Sequence, residues 1–242
     1  MHVLIVHAHH EPKSFNSAMT ARASRELEDA GHTVVVSDLY AMGFNPVSDR
    51  RNFTTVADAD YLKQQREERH AHERGGFAPD IAAEMDKLDA CDLLIFQYPL
   101  WWFGMPAILK GWVDRVLAMG RMYGGGRWYD AGALRDKRGM VAMTTGGPEP
   151  MYVAPEGHEG LNPPLGTILT PVHHGVFWFT GMHVLEPFVA WAPAHLDDEQ
   201  RAALLDGYAA HLRDQLAQEG APPPVAAEYP PPQFVRPRRP TA

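Results

Sequence analysis

Five short apolar runs recur along the chain, over residues 3–6, 32–38, 93–96, 139–144 and 183–189, and each has strand length. The first two are rich in β-branched residues. Between them lies a helix-length segment, 16–30, closed by Gly31, where a left-handed backbone is easily accommodated. A helix over 80–89 precedes the third run. Pro106 opens another through ILKGWVDRVLAM, with proline at a tolerated first-turn position. A short helix over 173–180 leads into the fifth run. A last one over 197–218 begins at Asp197-Asp198-Glu199 and keeps Ala203, Leu204, Tyr208 and Leu212 on one face.

Strands that alternate with helices pair in parallel through right-handed crossovers, and their sheet is buried on both faces. The fold class expected is therefore α/β: a doubly wound, five-stranded parallel sheet in the flavodoxin-like order 2-1-3-4-5. Residues 1–219 make one domain in this reading. Two connections are long: 40–79, polar and centred on YLKQQREERHAHERGG, and 146–171, rich in Gly and Pro. From Gly220 the chain reads APPPVAAEYPPPQFVRPRRP, so 220–242 is expected to be an extended, proline-rich tail.

Composition narrows the function. With 22 basic and 30 acidic residues the net charge is −8, which gives nucleic acid no electrostatic footprint. The opening MHVLIVHAH reads as a strand rather than a signal peptide, and no apolar run approaches the roughly 20 residues that span a bilayer. The single cysteine, Cys91, excludes an internal disulfide framework, suits the cytoplasm and is read as a packing residue.

Chemistry concentrates after the strands, where doubly wound sheets bind ligands. After the first strand, HHEPKSFNS offers hydroxyl and amide groups beside a helix N-terminus. That is an anion site, or simple N-capping by Ser14 or Asn16. Neither GxGxxG nor GxxxxGK[ST] is present. After the third strand comes Pro99-Leu100-Trp101-Trp102-Phe103-Gly104, three large aromatics that stay in a loop only if something covers them. They plug a core or dimer interface, or they flank a flat ring. After the fourth strand, Thr144-Thr145-Gly146-Gly147 lets backbone approach a ligand closely, or is a plain glycine turn. Three such loops on one sheet edge favour a flat, phosphorylated cofactor, and flavin fits. Tyr152 and His158, in the following loop, supply a phenol and an imidazole able to stabilise charge on a reduced flavin; alone, they would read as surface residues. His70-Ala71-His72 and His173-His174 lack metal-ligand spacing, so no metal is expected.

The segments AHHEPKSFNSAM, SDLYAMGFNPVSDR, FQYPLWWFGMPAILKGWVDRV, TTGGPEPMY and GMHVLEP together resemble the NAD(P)H:quinone oxidoreductase (DT-diaphorase) family. The resemblance implies non-covalent FAD, with FMN disfavoured, and NAD(P)H as the donor. It implies ping-pong hydride transfer through flavin N5 to quinones or related electrophiles, in a homodimer whose active site draws on both subunits. It places His9, Ser14, Phe15, Asn16 and Ala18 on the pyrophosphate and adenosine side, with Arg201 near the adenine. Pro99, Leu100, Trp102 and Phe103 fall along the flavin, and Thr144, Thr145, Gly146 and Gly147 along its other edge. Tyr152 and His158 correspond to the catalytic pair, while Trp102, Phe103 and His158 line the substrate pocket together with Tyr123 and Phe179, which are contributed across the dimer. Gly124-Gly125-Gly126 replaces a second pocket tyrosine, and Trp178 stands where one branch has a metal-binding histidine. Two alternatives remain: a regulatory flavoprotein subunit of a potassium-efflux system, and a one-electron flavodoxin carrier.

Overall fold

A computed structural model describes residues 1–232 and Val235. It contains strands β1 (His2–His7), β2 (Thr33–Asp38), β3 (Leu93–Pro99), β4 (Arg138–Thr144), β5 (His183–Val184) and β6 (Phe188–Ala190). The helices are α1 (Phe15–Asp29), α2 (Gln64–Arg74), α3 (Pro79–Ala90), α4 (Ala107–Val116), α5 (Leu165–Val172) and α6 (Asp198–Leu216). The sheet is parallel throughout and ordered β2-β1-β3-β4-β5, with β6 also on β4. The flavodoxin-like order is the one expected.

The period-2 alternation of the strands divides the core in two. Leu4, Val6, Leu94 and Phe96 face Ile81 and Met85 of α3, Trp112 of α4 and Phe177. Val3, Ile5, Leu93 and Ile95 face Met19 and Leu27 of α1 and Tyr208 and Leu212 of α6. Burial on both faces is why these strands read as unbroken apolar runs.

Three elements differ from the sequence expectation. The fifth strand, expected over 183–189, is two segments. Glu186 turns its amide to the Gln215 side chain at 3.0 Å, and Pro187 has no N–H for the ladder, so the chain leaves β4 and rejoins it at Phe188. The helix expected to begin at 173 begins at Leu165. It carries Pro171 inside it and continues over His173–Trp178 as a π-helical turn. The polar connection 40–79 contains α2. Its inward side chains include two carboxylates: Glu67 accepts from the Ala57 and Asp58 amides at 2.7 and 2.9 Å, and Glu68 accepts from the Met119 amide at 2.7 Å. Burial pushes the Glu68 carboxyl above its ordinary pKa. Hydrogen bonds rather than an apolar stripe hold this helix, so its sequence lacks the periodic signal.

Along the proline-rich segment, Ala221 bridges Val184 and its carbonyl accepts from the Trp178 indole at 3.1 Å, while the Ala226 amide donates to Asp130 at 2.7 Å. The rest of the expected tail, 233–234 and 236–242, lies outside the described residues. Among the described residues no helix is long and apolar enough to cross a membrane.

Gly111, inside α4, lets the backbone of the 40–79 connection rest on the helix. A Cβ there would meet the Pro46 carbonyl oxygen at 2.3 Å and its Cα at 2.4 Å. Gly111→Ala should cost about 1–3 kcal/mol in urea unfolding despite alanine's better helix propensity; a stabilised variant would contradict this packing. His173 stacks on Phe177, its Nε2 has no partner, and burial lowers its pKa from 6.5 to about 4. The unfolded chain therefore takes up this proton first. Stability falls as pH drops from 6.5 towards 4, by up to about 3 kcal/mol from this group. His173→Leu should flatten that part of the stability–pH curve, and an unaltered slope would refute the assignment.

Candidate active site

Parallel pairing brings the carboxyl ends of β1, β3, β4 and β6 to one edge of the sheet. After β1, Ser14 caps α1, its hydroxyl accepting from the Ser17 amide at 3.1 Å. Capping and anion binding are compatible here, because the Phe15 and Asn16 amides in the first turn remain open donors. His9, Lys13, Ser14, Phe15, Asn16, Ala18, Thr144, Pro193, Ala194 and Arg201 line a cleft of about 380 Å³. The structure thus gathers every residue expected on the pyrophosphate and adenosine side.

Each group's bonding limits what it can do. His9 Nδ1 accepts from the Glu11 amide at 3.0 Å, so its neutral ring carries the proton on Nε2 as a donor. Burial holds its pKa below the ordinary value. Asn16 is buried; its Oδ1 accepts from Gln97 at 2.8 Å and its Nδ2 donates to the Thr144 hydroxyl at 2.7 Å. Its side chain joins α1, β3 and β4, leaving its backbone amide to face a ligand. Thr144 Oγ1 accepts there and keeps its own proton for the cleft. Arg201 donates through Nε to the Pro193 carbonyl at 3.0 Å and through Nη1 to Asp198 at 3.1 Å, which fixes its guanidinium beside Pro193 and Ala194.

After β3, which ends at Pro99, the Leu100 amide donates to the Thr144 carbonyl at 2.8 Å. Trp101 and Gly104 then exchange backbone hydrogen bonds across a tight turn. Its central residues, Trp102 and Phe103, have φ of 53° and 56°. Two consecutive positive φ values define a type I′ turn, which asparagine and glycine usually occupy, and cost about 1–2 kcal/mol each for other L-residues. Trp102 is nonetheless 99% exposed and Phe103 47%. A strained turn that holds bulky apolar rings in solvent points to a surface that something else covers.

After β4, the Thr145 hydroxyl donates to the Gly147 carbonyl at 2.8 Å and accepts from the Ala192 amide at 3.3 Å. Gly146 has open space around it. A Cβ at Gly147 would meet Met151 Sδ at 2.7 Å and the Tyr152 ring at 3.3 Å. Tyr152 is buried against Trp191, ring centroids 5.4 Å apart. His158 is exposed, and its Nδ1 donates to the Glu156 carbonyl at 3.1 Å, leaving Nε2 of the neutral ring as an acceptor. Tyr152 and His158 share a cleft of about 810 Å³ lined by residues 152–154 and 158–166.

The turn after β6 went unrecognised in the sequence. It supplies Trp191, the positive-φ Ala192, and Pro193 and Ala194 of the cleft wall. A tryptophan directly after an apolar FVA run is the signal that marks it, the same signal as at Trp101.

Tyr123 and Phe179 lie together, centroids 5.7 Å apart, in another cavity of about 520 Å³ with Gln65 and Glu68. The structure does not bring them into the cleft of Tyr152 and His158. Cys91 is buried, which pushes its thiol to about 11 and makes it a poor nucleophile. Among the described residues no group of three or more His, Cys, Asp or Glu is arranged to hold a metal.

The family profile described as Flavodoxin-like fold matches residues 1–216. Rat ribosyldihydronicotinamide dehydrogenase [quinone] is 39% identical over 218 residues, covering 90% of this chain and 93% of the relative. Rat NAD(P)H dehydrogenase [quinone] 1 is 41% identical over 210 residues, covering 86% and 75%. Among solved structures, a Klebsiella pneumoniae protein assigned as a quinone reductase superposes with a TM-score of 0.88 at 36% identity, covering 98% of this chain and 93% of that one.

Asn16→Ala would leave Gln97 and Thr144 without their shared partner beneath the cleft. It should lower the free energy of unfolding by about 1–3 kcal/mol; a loss under about 0.5 kcal/mol in urea titration would show that the network carries no load.

Proposed function

The chain belongs to the NAD(P)H:quinone oxidoreductase family of flavodoxin-like flavin enzymes, and from that premise we propose that it holds FAD at the carboxyl edge of its sheet and reduces quinones by two electrons at the expense of NAD(P)H. The observation that carries the proposal is the strained Trp102–Phe103 turn, apolar and solvent-facing, on the same sheet edge as a helix-capped anion cleft.

The residues present fit a flavin dinucleotide. The α1 N-terminus, His9 Nε2–H and the Ser14 hydroxyl suit a pyrophosphate, with Lys13 adding positive charge. The cleft continues past them to Pro193, Ala194 and the fixed plane of Arg201, a wall suited to an adenosine half. FMN has no such half, which is why FAD is the cofactor proposed. Trp102 and Phe103 offer apolar surface to the flat ring, with Pro99, Leu100, Thr144, Thr145, Gly146 and Gly147 along its edges.

When bound, the flavin would supply ping-pong hydride transfer through N5, from the reduced nicotinamide and then, after that product leaves, to the quinone. The chain's own work is electrostatic and steric. Tyr152, immobilised on Trp191, presents a phenol donor where negative charge develops; His158 keeps a free Nε2 with which to hold or return a proton. Aromatic walls exclude water and accept donor and acceptor in turn. Tyr123 and Phe179 lie in a separate cavity, so in this reading they complete the substrate pocket of a partner copy, in a homodimer with composite sites. The efflux-subunit alternative draws no support from these observations.

Purified protein should release FAD and, assayed with NADH and with NADPH, oxidise at least one of them in the presence of a menadione-type quinone. A colourless preparation that neither FAD nor FMN reconstitutes would contradict the function. The double variant Tyr152→Phe, His158→Gln should slow stopped-flow flavin reduction by about 10–100-fold while keeping its bound flavin; an unchanged rate would remove both residues from the mechanism.

A further inference from the structure

Beneath the anion cleft runs a polar chain that the proposed function leaves unused. His7, the last residue of β1, is 2% exposed and lies between two hydroxyls of α1, with Nδ1 2.9 Å from Thr20 Oγ1 and Nε2 3.3 Å from Ser17 Oγ. Burial holds its pKa below the ordinary value and nearby His9 adds to this, while Asp38 on β2 pulls the other way. The ring is neutral at neutral pH and carries one proton.

The neighbours decide where that proton sits. Ser17 Oγ is 3.1 Å from the Glu11 carbonyl, which can only accept, so the Ser17 hydroxyl donates there. With its single proton given to Glu11, Ser17 Oγ can only accept from His7, so the contact at 3.3 Å places the ring proton on Nε2, and Nδ1 accepts from the Thr20 hydroxyl. The Glu11 carbonyl also accepts the Ser14 amide at 3.0 Å, while Ser14 Oγ takes the Ser17 amide at 3.1 Å and lies 3.0 Å from Ser17 Oγ. Ser17 is thus the clasp that closes the 11–14 turn against α1.

We infer that His7 is a positioning residue for the cofactor's phosphate loop: by donating from Nε2 to Ser17 it commits the Ser17 hydroxyl to Glu11 and holds Ser14 in place to meet an anion. It touches no cofactor itself, and the inference rests on the flavin reading above.

The test is titration of FAD into the flavin-stripped protein, followed by quenching of flavin fluorescence, together with the ring-nitrogen NMR of His7 in the apoprotein. The NMR should show the neutral Nε2–H tautomer at pH 8; the Nδ1–H tautomer would overturn the inference. His7→Leu should weaken FAD binding by about 3–10-fold, the size of one hydrogen bond. His7→Gln, whose amide donor replaces Nε2–H, should restore it to within about twofold. Ser17→Ala should match His7→Leu, and the double variant should be no worse than Ser17→Ala, because His7 acts through Ser17. Additive losses, or no rescue by glutamine, would overturn the inference alone. A wild-type apoprotein that takes up no FAD would overturn the flavin reading and this inference with it.

Discussion

A buried side-chain chain, Gln97 to Asn16 to Thr144, joins the three segments from which the candidate site is built. Gln97 belongs to β3, Asn16 to the first turn of α1 and Thr144 to the end of β4, and the two bonds measure 2.8 and 2.7 Å. Parallel pairing puts the carboxyl ends at one edge; this network fixes the turns there relative to one another. The Leu100 amide on the Thr144 carbonyl and the Ala192 amide on the Thr145 hydroxyl extend the same tie to the aromatic turn and to the turn after β6. Asn16 and Gln97 are buried in this floor, which leaves the backbone amides of α1 as the groups that face outward.

Stored strain sits above this rigid floor. Trp102, Phe103 and Ala192 adopt positive φ without being glycine, and all three lie in turns at the carboxyl edge. A flat ring seated against Trp102 would remove apolar surface from water and so offset the cost of the turn, which connects the local backbone to the chemistry of the bound cofactor. Tyr152 is the opposite case, buried and packed against Trp191, an environment that suits a group meant to stabilise charge with little reorganisation.

The sheet was legible because β1, β3 and β4 are buried on both faces, so they appear as continuous apolar runs such as HVLIVH and LLIFQYP. Gly31, with φ of 81°, and the Asp197 capping box marked helix boundaries by chemistry that needs no tertiary context. Helix α2 was hidden because Glu67 and Glu68 face inward, Glu67 onto the Ala57 and Asp58 amides of its own connection and Glu68 onto the Met119 amide far along the chain. The break between β5 and β6 depends on Gln215, far along the chain, reaching Glu186. In the site, residue types after each strand pointed to an anion site or a plain cap, and to aromatics that plug an interface or flank a flat ring. They could not indicate that Asn16 spends its side chain on the floor, nor that Pro193 and Ala194 complete the wall. Those are facts of geometry.

The central claim, that the turns after β1, β3, β4 and β6 together enclose one flavin, is tested most directly by hydrogen–deuterium exchange of the apoprotein with and without FAD. The account predicts slowed exchange confined to residues 9–18, 100–106, 145–152 and 191–201, appearing together as FAD is added. Protection limited to one of these turns, or centred on the cavity around Tyr123 and Phe179, would contradict it.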